Sequence, residues 1–381
     1  MKIVYYLAAS VFIFITLSLT IYLVLQFVYS DDDEKPQLEL TIVVFRNGER
    51  MPYTDAGEGY KNNPNVENNY FPMGQSGLTN EGKLNEYKLG QTLREKYKDF
   101  LNSTYQYEFI EARSTIYDST KVSLQLVLAG LYPPDSSQIW NSSIKWQPIP
   151  FEYEPETDDI LLTSIKCSRY LEELKNLKQT IQVKEKLQKF ENLIQNLSNI
   201  TGEKINNLSD LYKIHFTLEM EEKMNLKLPN WTKYVLNNTQ VMEAILFNFE
   251  LMTYNNLMKK LSTGSLINKI ADEMIRIKDN LLRKKTKIYL YSGHHDNLIN
   301  LLSTLGVYKL HIPKFSSAIM IELHKLNNQY FVQILYYSGI PSKIEILEIP
   351  GCLKLCPLDE FLELMKPVLP EKNENVCIQT S

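Results

Sequence analysis

Short apolar runs that end in polar clusters flank a long middle segment of helical periodicity. Leu38–Phe45 (LELTIVVF) is brief and rich in β-branched residues, the pattern of a buried strand. It stops abruptly at Arg46-Asn47-Gly48-Glu49-Arg50, followed by Met51-Pro52. The polar stretch NNPNVENNYFPMGQSG, marked by Gly and Pro, reads as a loop. Leu84, Tyr87, Leu89, Leu93 and Tyr97 then recur near helical spacing, with Thr79 as the candidate N-cap. YEFIEARST predicts a second strand, ending in Arg113-Ser114-Thr115, and KVSLQLVLAGLY a helix closed by Pro133-Pro134. From about residue 155 to 285 the signal is nearly all helical. Its two long amphipathic stretches are LEELKNLKQTIQVKEKLQKFENLIQNL and VMEAILFNFELMTYNNLMKKL. KIYLYSGHHD predicts a strand running into a polar cluster and LINLLSTLGV the helix after it. SAIMIELHKLNNQYFVQILYY predicts two strands about an Asn-Asn turn.

Strand and helix alternate at both ends with a helical block between, which predicts an α/β core over 38–150 and 286–350 and an α-helical insertion over 151–285. A cysteine-containing segment, 351–381, is expected to pack on the core. At 381 residues the chain is long enough for a sizeable core. A formal net charge of -4 gives no polybasic signature, so nucleic acid is not the expected partner.

The N-terminus changes the picture. Ile3–Tyr29 holds no charged residue, and as a helix it is roughly 40 Å long, more than the roughly 30 Å core of a bilayer. No A-x-A site closes the run. Residues 1–30 are therefore read as an uncleaved signal anchor, with a long signal peptide as the alternative. Either places the rest of the chain in the secretory lumen or outside the cell, anchored or secreted. The even cysteine set, Cys167, Cys352, Cys356 and Cys377, suits that compartment and allows three pairings. Sequons stand at Asn102, Asn141, Asn196, Asn199, Asn207, Asn230 and Asn237.

Three polar clusters, Arg46–Arg50, Arg113–Thr115 and Ser292–Asp296, each follow a predicted strand. Ligands of open α/β sheets bind at the carboxyl ends of strands, so the clusters are expected to converge. Arg46, Arg50 and Arg113 with His294 would form an anion site, because guanidinium forks match phosphate oxygens. Ordinary surface ion pairs are the bland alternative. His215, His311 and His324 are read as structural or surface residues. No metal is called for, since the acidic residues form no ligand cluster.

These motifs resemble the histidine acid phosphatases, in particular the animal lysosomal, prostatic and venom types. Arg46-Asn47-Gly48-Glu49-Arg50-Met51-Pro52 is similar to the family's R-H-G-x-R-x-P. GLTNEGKLNEYKLGQTLREKY, ARSTIYDST, the LYPP…W…PIP segment and PGCLKLCPLDEF are similar to further family segments. The resemblance covers nearly the whole lumenal chain. It implies the histidine phosphatase fold, with a mostly parallel central sheet flanked by helices. It also implies pairing of Cys352 with Cys356 and of Cys167 with Cys377, hydrolysis of phosphate monoesters without a cofactor, and a homodimer.

Carried over by position, Arg46, Arg50, Arg113 and His294 would bind the phosphoryl group. The chain departs from the family at both principal chemical positions. Asn47 stands where the nucleophilic His belongs, and a carboxamide nitrogen has no basic lone pair with which to form a phosphoenzyme. His295 stands at the position of the general-acid Asp, with Asp296 one residue late, and Ile116 replaces another family Asp. The expected function is a phosphate-monoester pocket with weak or no turnover. The alternatives are a hydrolase working through a modified site and a membrane-tethered interaction protein.

Overall fold

The computed structural model describes residues 35–67, 69–281, 285–371, 374 and 376–377. The expected anchor or signal over 1–30 lies outside them. Among the described residues no helix is long and apolar enough to cross a membrane.

Strands β1 (Gln37–Arg46), β2 (Ile110–Ser114), β3 (Ile288–Gly293), β4 (Ala318–Leu326), β5 (Gln329–Tyr337), β6 (Ile344–Leu347) and β7 (Cys356–Pro357) form a seven-stranded sheet among the described residues. The order is β2-β3-β1-β4-β5-β6, with β7 beside β5. Both β1 and β2 run parallel to β3, whereas β4, β5, β6 and β7 enter by antiparallel pairings. The α/β class is as expected, but the sheet is mixed rather than mostly parallel. The reason is local. Asn327 and Asn328, at φ 48° and 61°, close a two-residue hairpin between β4 and β5, and a tight hairpin makes antiparallel neighbours.

Strand β1 is buried on both faces, which explains its unbroken apolar run. Val43 and Phe45 pack with Leu89, Leu93, Leu124 and Val127 of helices α1 (Asn80–Lys96) and α2 (Asp118–Leu131). Leu40, Ile42 and Val44 face a second layer. The helical block between β2 and β3 is α3 (Ser168–Gln179), α4 (Ile181–Gln188), α5 (Glu191–Thr201), α6 (Leu208–Lys223), α7 (Thr232–Leu236), α8 (Thr239–Met252), α9 (Asn256–Lys259) and α10 (Ser265–Lys278). After β3 come α11 (His295–Thr304) and, near the C-terminus, α12 (Leu358–Met365). The first amphipathic stretch of the block is three helices rather than one. Thr180 is extended (ψ 147°) and its hydroxyl bonds Leu177 O at 2.8 Å, which breaks the run. Residues of α3 to α8 build a core of their own, including Leu177, Leu197, Leu211 and Phe247.

The C-terminal segment is tied to the helical block. Glu374 bonds Arg169 at 3.0 Å and Lys260 at 2.5 Å, and Val376 is buried in that core. Cys352 and Cys356 form a disulfide, with their Cα atoms 5.5 Å apart. Cys167 and Cys377, the other implied pair, lie in side-chain contact with one another. All seven sequon asparagines are exposed.

Candidate functional site

Strand β1 ends where its partner ends. Asn47 N–H donates to Gly293 O at 2.9 Å, so the polar turn after β1 sits beside the turn from β3 into α11. Gly48 is required by space: a Cβ there would lie 2.7 Å from Gly82 O and 2.9 Å from Glu86 Cγ. The turn is thereby pressed against the start of α1, whose Thr79 cap accepts from Gly82 N–H at 2.9 Å as the sequence predicts.

Arg46, Asn47, Arg50, His294, His295 and Asp296 line one cleft of about 240 Å³. Its walls come from the loop after β1 (Tyr53, Glu58), from Tyr117 and Glu156, and from the helical block (Lys166, Tyr212, Phe249, Met252). Arg46 is almost fully buried. It donates through Nη1 to Pro313 O and lies 3.9 Å above the Phe315 ring. Burial lowers its pKa. Arg50 forms a fork on Glu58 with two 2.7 Å bonds, and Phe216 lies 4.8 Å beneath its guanidinium. Burial opposes its charge, but the Glu58 carboxylate outweighs that and raises its pKa.

Arg113 stands apart from the other expected anion ligands. It is not among the residues lining the cleft, and its Nη2 donates to the buried Asp159 at 2.7 Å. Two of the three arginines are thus brought together with His294, and Arg113 is not.

The Asn47 carboxamide is fixed at both ends. Nδ2 donates to Gly48 O at 2.8 Å, and Oδ1 lies 3.3 Å from His294 Nδ1. His294 Nε2 lies 3.2 Å from the Thr115 hydroxyl, which meets Thr120 at 2.7 Å. Burial, reinforced by Arg50, Arg46 and Lys166, pushes the His294 pKa down to about 3, so the ring is neutral at physiological pH. An amide oxygen only accepts, so the network assigns the proton to Nδ1 and leaves Nε2 to accept from Thr115. Both ring nitrogens are engaged by protein groups.

His295 opens α11 and turns into an aromatic box. Its ring centroid is 4.7 Å from Tyr212 and 5.4 Å from Phe249, and Nδ1 lies 3.3 Å from the Tyr212 hydroxyl. Burial, then Arg46, His294 and Arg50, hold its pKa well below the usual imidazole range. A neutral imidazole is a poor proton donor. Asp296, the next residue, lines the same cleft, and burial raises its pKa. Sequence reasoning missed Glu58, Tyr117, Glu156, Lys166 and Tyr212. They come from loops and helices whose patterns carry no mark of a shared cavity.

Similarity to known proteins agrees with this architecture. The family described as Histidine phosphatase superfamily (branch 2) matches residues 37–337. The venom acid phosphatase Acph-1 of Apis mellifera is 38% identical over 341 residues, covering 90% of this chain and 88% of that protein. The human lysosomal acid phosphatase is 31% identical over 350 residues, covering 89% and 80%. Among solved structures, the Klebsiella sp ASR1 phytase superposes with a TM-score of 0.62 at 16% identity, over 91% of this chain and all of that one. The chain belongs to the histidine phosphatase superfamily, branch 2.

Proposed function

We propose that this branch 2 histidine phosphatase is a secretory-pathway protein that binds phosphate monoesters and has lost the family's covalent turnover. The single observation that carries the reading is the locked carboxamide of Asn47 between the cleft arginines and His294. An amide nitrogen conjugated to its carbonyl cannot attack phosphorus, and covalent catalysis needs a group that does. Neutral His294, with both nitrogens engaged, offers no substitute. Arg46 remains beside the turn, with Arg50 paired to Glu58 and Lys166 to Glu156 at 3.6 Å. The compartment is supported by the exposed sequons, by the Cys352–Cys356 bond and by relatives named for venom and lysosome.

The test is calorimetry with inorganic phosphate beside an aryl phosphate assay at pH 5. Phosphate should bind while aryl phosphate turnover stays at background. Arg46→Gln should weaken binding about tenfold or more, the scale of one hydrogen bond to a charged group. Arg113→Gln should leave affinity unchanged, because that guanidinium is committed to Asp159. Native turnover that survives Asn47→Ala and disappears in His294→Ala would instead install hydrolysis through a modified site.

A homodimer is the oligomer this reading expects. Ile139, Trp140, Ile144 and Trp146 leave an exposed apolar face, with Trp140 57% exposed. Light scattering of the purified lumenal domain should give twice the chain mass, and Trp140→Glu should give the monomer. A monomeric native protein would remove the dimer and leave the cleft reading intact.

A further inference from the structure

We propose that Glu58 is a built-in competitor for the cleft: its carboxylate occupies the Arg50 fork that a ligand's phosphoryl group would otherwise take. It thereby sets how tightly the cleft holds a phosphate monoester. This rests on the reading of the cleft as a phosphate-monoester site.

The contact has the form of a bound anion. Arg50 Nη1 donates to Glu58 Oε2 and Nη2 to Oε1, each at 2.7 Å. This is the two-point match that a guanidinium makes with a carboxylate or a phosphate. Tyr53 N–H donates to the same Oε2 at 2.8 Å, so three N–H groups converge on the carboxylate. Both side chains are largely withdrawn from water, and both line the cleft that holds Arg46, Asn47 and His294.

The guanidinium does not depend on Glu58 for its place. Nη1 also donates to Met51 O at 2.9 Å, and the Phe216 ring lies 4.8 Å beneath it. Removing the carboxylate frees Nη2 and leaves those two supports standing.

Glu58 is carried on a loop built to release it. It stands between Gly57 and Gly59, at φ 79° and 153°, where side-chain-bearing residues are strained and glycine is not. A Cβ at Gly59 would find only Thr54 Cγ2 within 4 Å, at 3.9 Å, so the loop has room on that side. Lys213 Nζ lies 3.0 Å from where a Gly57 Cβ would stand, and Lys213 also lines the cleft. A displaced carboxylate thus has a second cation within reach. A group tethered this closely competes at an effective concentration of roughly millimolar. An incoming phosphoryl group must displace it or rest on Arg46 without Arg50.

The experiment is calorimetry of the folded chain with inorganic phosphate at pH 7. Glu58→Ala clears the fork and should raise phosphate affinity about tenfold or more, the scale of a hydrogen bond to a charged group. Glu58→Gln removes the same charge but keeps an amide oxygen on the fork, so its gain should be smaller. Adding Arg50→Gln to Glu58→Ala should return the affinity to within about threefold of native. Equal gains in Ala and Gln would assign the effect to lost charge and not to the fork, and would overturn the proposal. A gain that survives Arg50→Gln would overturn it too. Should Glu58→Ala fail to fold, Glu58→Gln, which keeps an acceptor for Tyr53 N–H, carries the test with the same second substitution. Native binding that is unchanged or weakened in both Glu58 variants sinks the Glu58 role while the phosphate-monoester reading stands. Absence of binding in the native chain and in every variant removes both.

Discussion

Asn47→His should turn the protein into a measurable phosphatase. The expected result is aryl phosphate hydrolysis at pH 5 at least about a hundred times the native background, with a phosphoenzyme trapped by acid quench. Three features of the turn support the gain. Gly48 and Gly82 already hold the backbone in a single tight course, so position 47 is placed by the fold and not by its side chain. The 47 N–H keeps its bond to Gly293 O whatever the residue. The new imidazole would also meet His294 Nδ1, now 3.3 Å from the amide oxygen, so one of its nitrogens would be oriented and the other left toward the cleft. An activated aryl leaving group departs without protonation, so the nucleophile is the limiting defect for that substrate. A folded variant that binds phosphate but traps no phosphoenzyme would show that the pocket, and not only residue 47, has left the family's chemistry.

What could be read in advance follows from where the information sits. β1 announced itself because both of its faces are buried, and the Arg46–Arg50 turn because it interrupts an apolar run. The Asn-Asn hairpin was legible from turn chemistry. The parallel sheet expected from the family resemblance failed on the β4–β6 side, where pairing depends on that same hairpin. Helix α1 was found by spacing and cap, and Leu89, Leu93 and Tyr97 of that spacing are buried, but the rest of its buried face is not apolar. Leu84 is 50% exposed, whereas Glu86 is fully buried. A hydrophobic period cannot mark Gly82, Glu86 and Gly90, which are buried alongside Leu89 and Leu93. Arg113 was expected in the clamp because it ends a strand. Its partner Asp159 lies in a loop 46 residues away, with no pattern to betray it. An ungapped reading puts Asp296 one residue past the acid position, and the structure sets it on the same cleft as Arg46 and His294, because the first turn of a helix points adjacent residues in different directions.

Glu86→Gln should stabilise the protein at neutral pH and leave it nearly unchanged in acid. The Glu86 side chain is wholly buried between α1 and the Asn47–Gly48 turn. Oε1 accepts from the Ser316 hydroxyl at 2.7 Å and Oε2 has no partner. Burial raises its pKa well above the carboxyl value, with the Ser316 bond only partly opposing the shift. The folded state therefore holds a proton that the unfolded state releases near its ordinary pKa of about 4.3. The stability that this proton contributes is complete below that value and is lost as pH rises toward the folded-state pKa. Above it, each unit of difference costs about 1.4 kcal/mol, and the amide escapes that cost while keeping an acceptor for Ser316. Glu322 runs the other way. Burial opposes its charge, but His324, Lys96 and Tyr97 lower its pKa, so its contribution is lost as pH falls. Subtracting native from variant stability at each pH cancels that contribution. Urea unfolding at pH 4 and pH 7 should give a difference near zero at the first and about 1 kcal/mol or more in favour of Glu86→Gln at the second. An equal difference at both pH values would mean that Glu86 is not the proton holder. A variant destabilised at pH 7 would mean that the Asn47 turn depends on its charge.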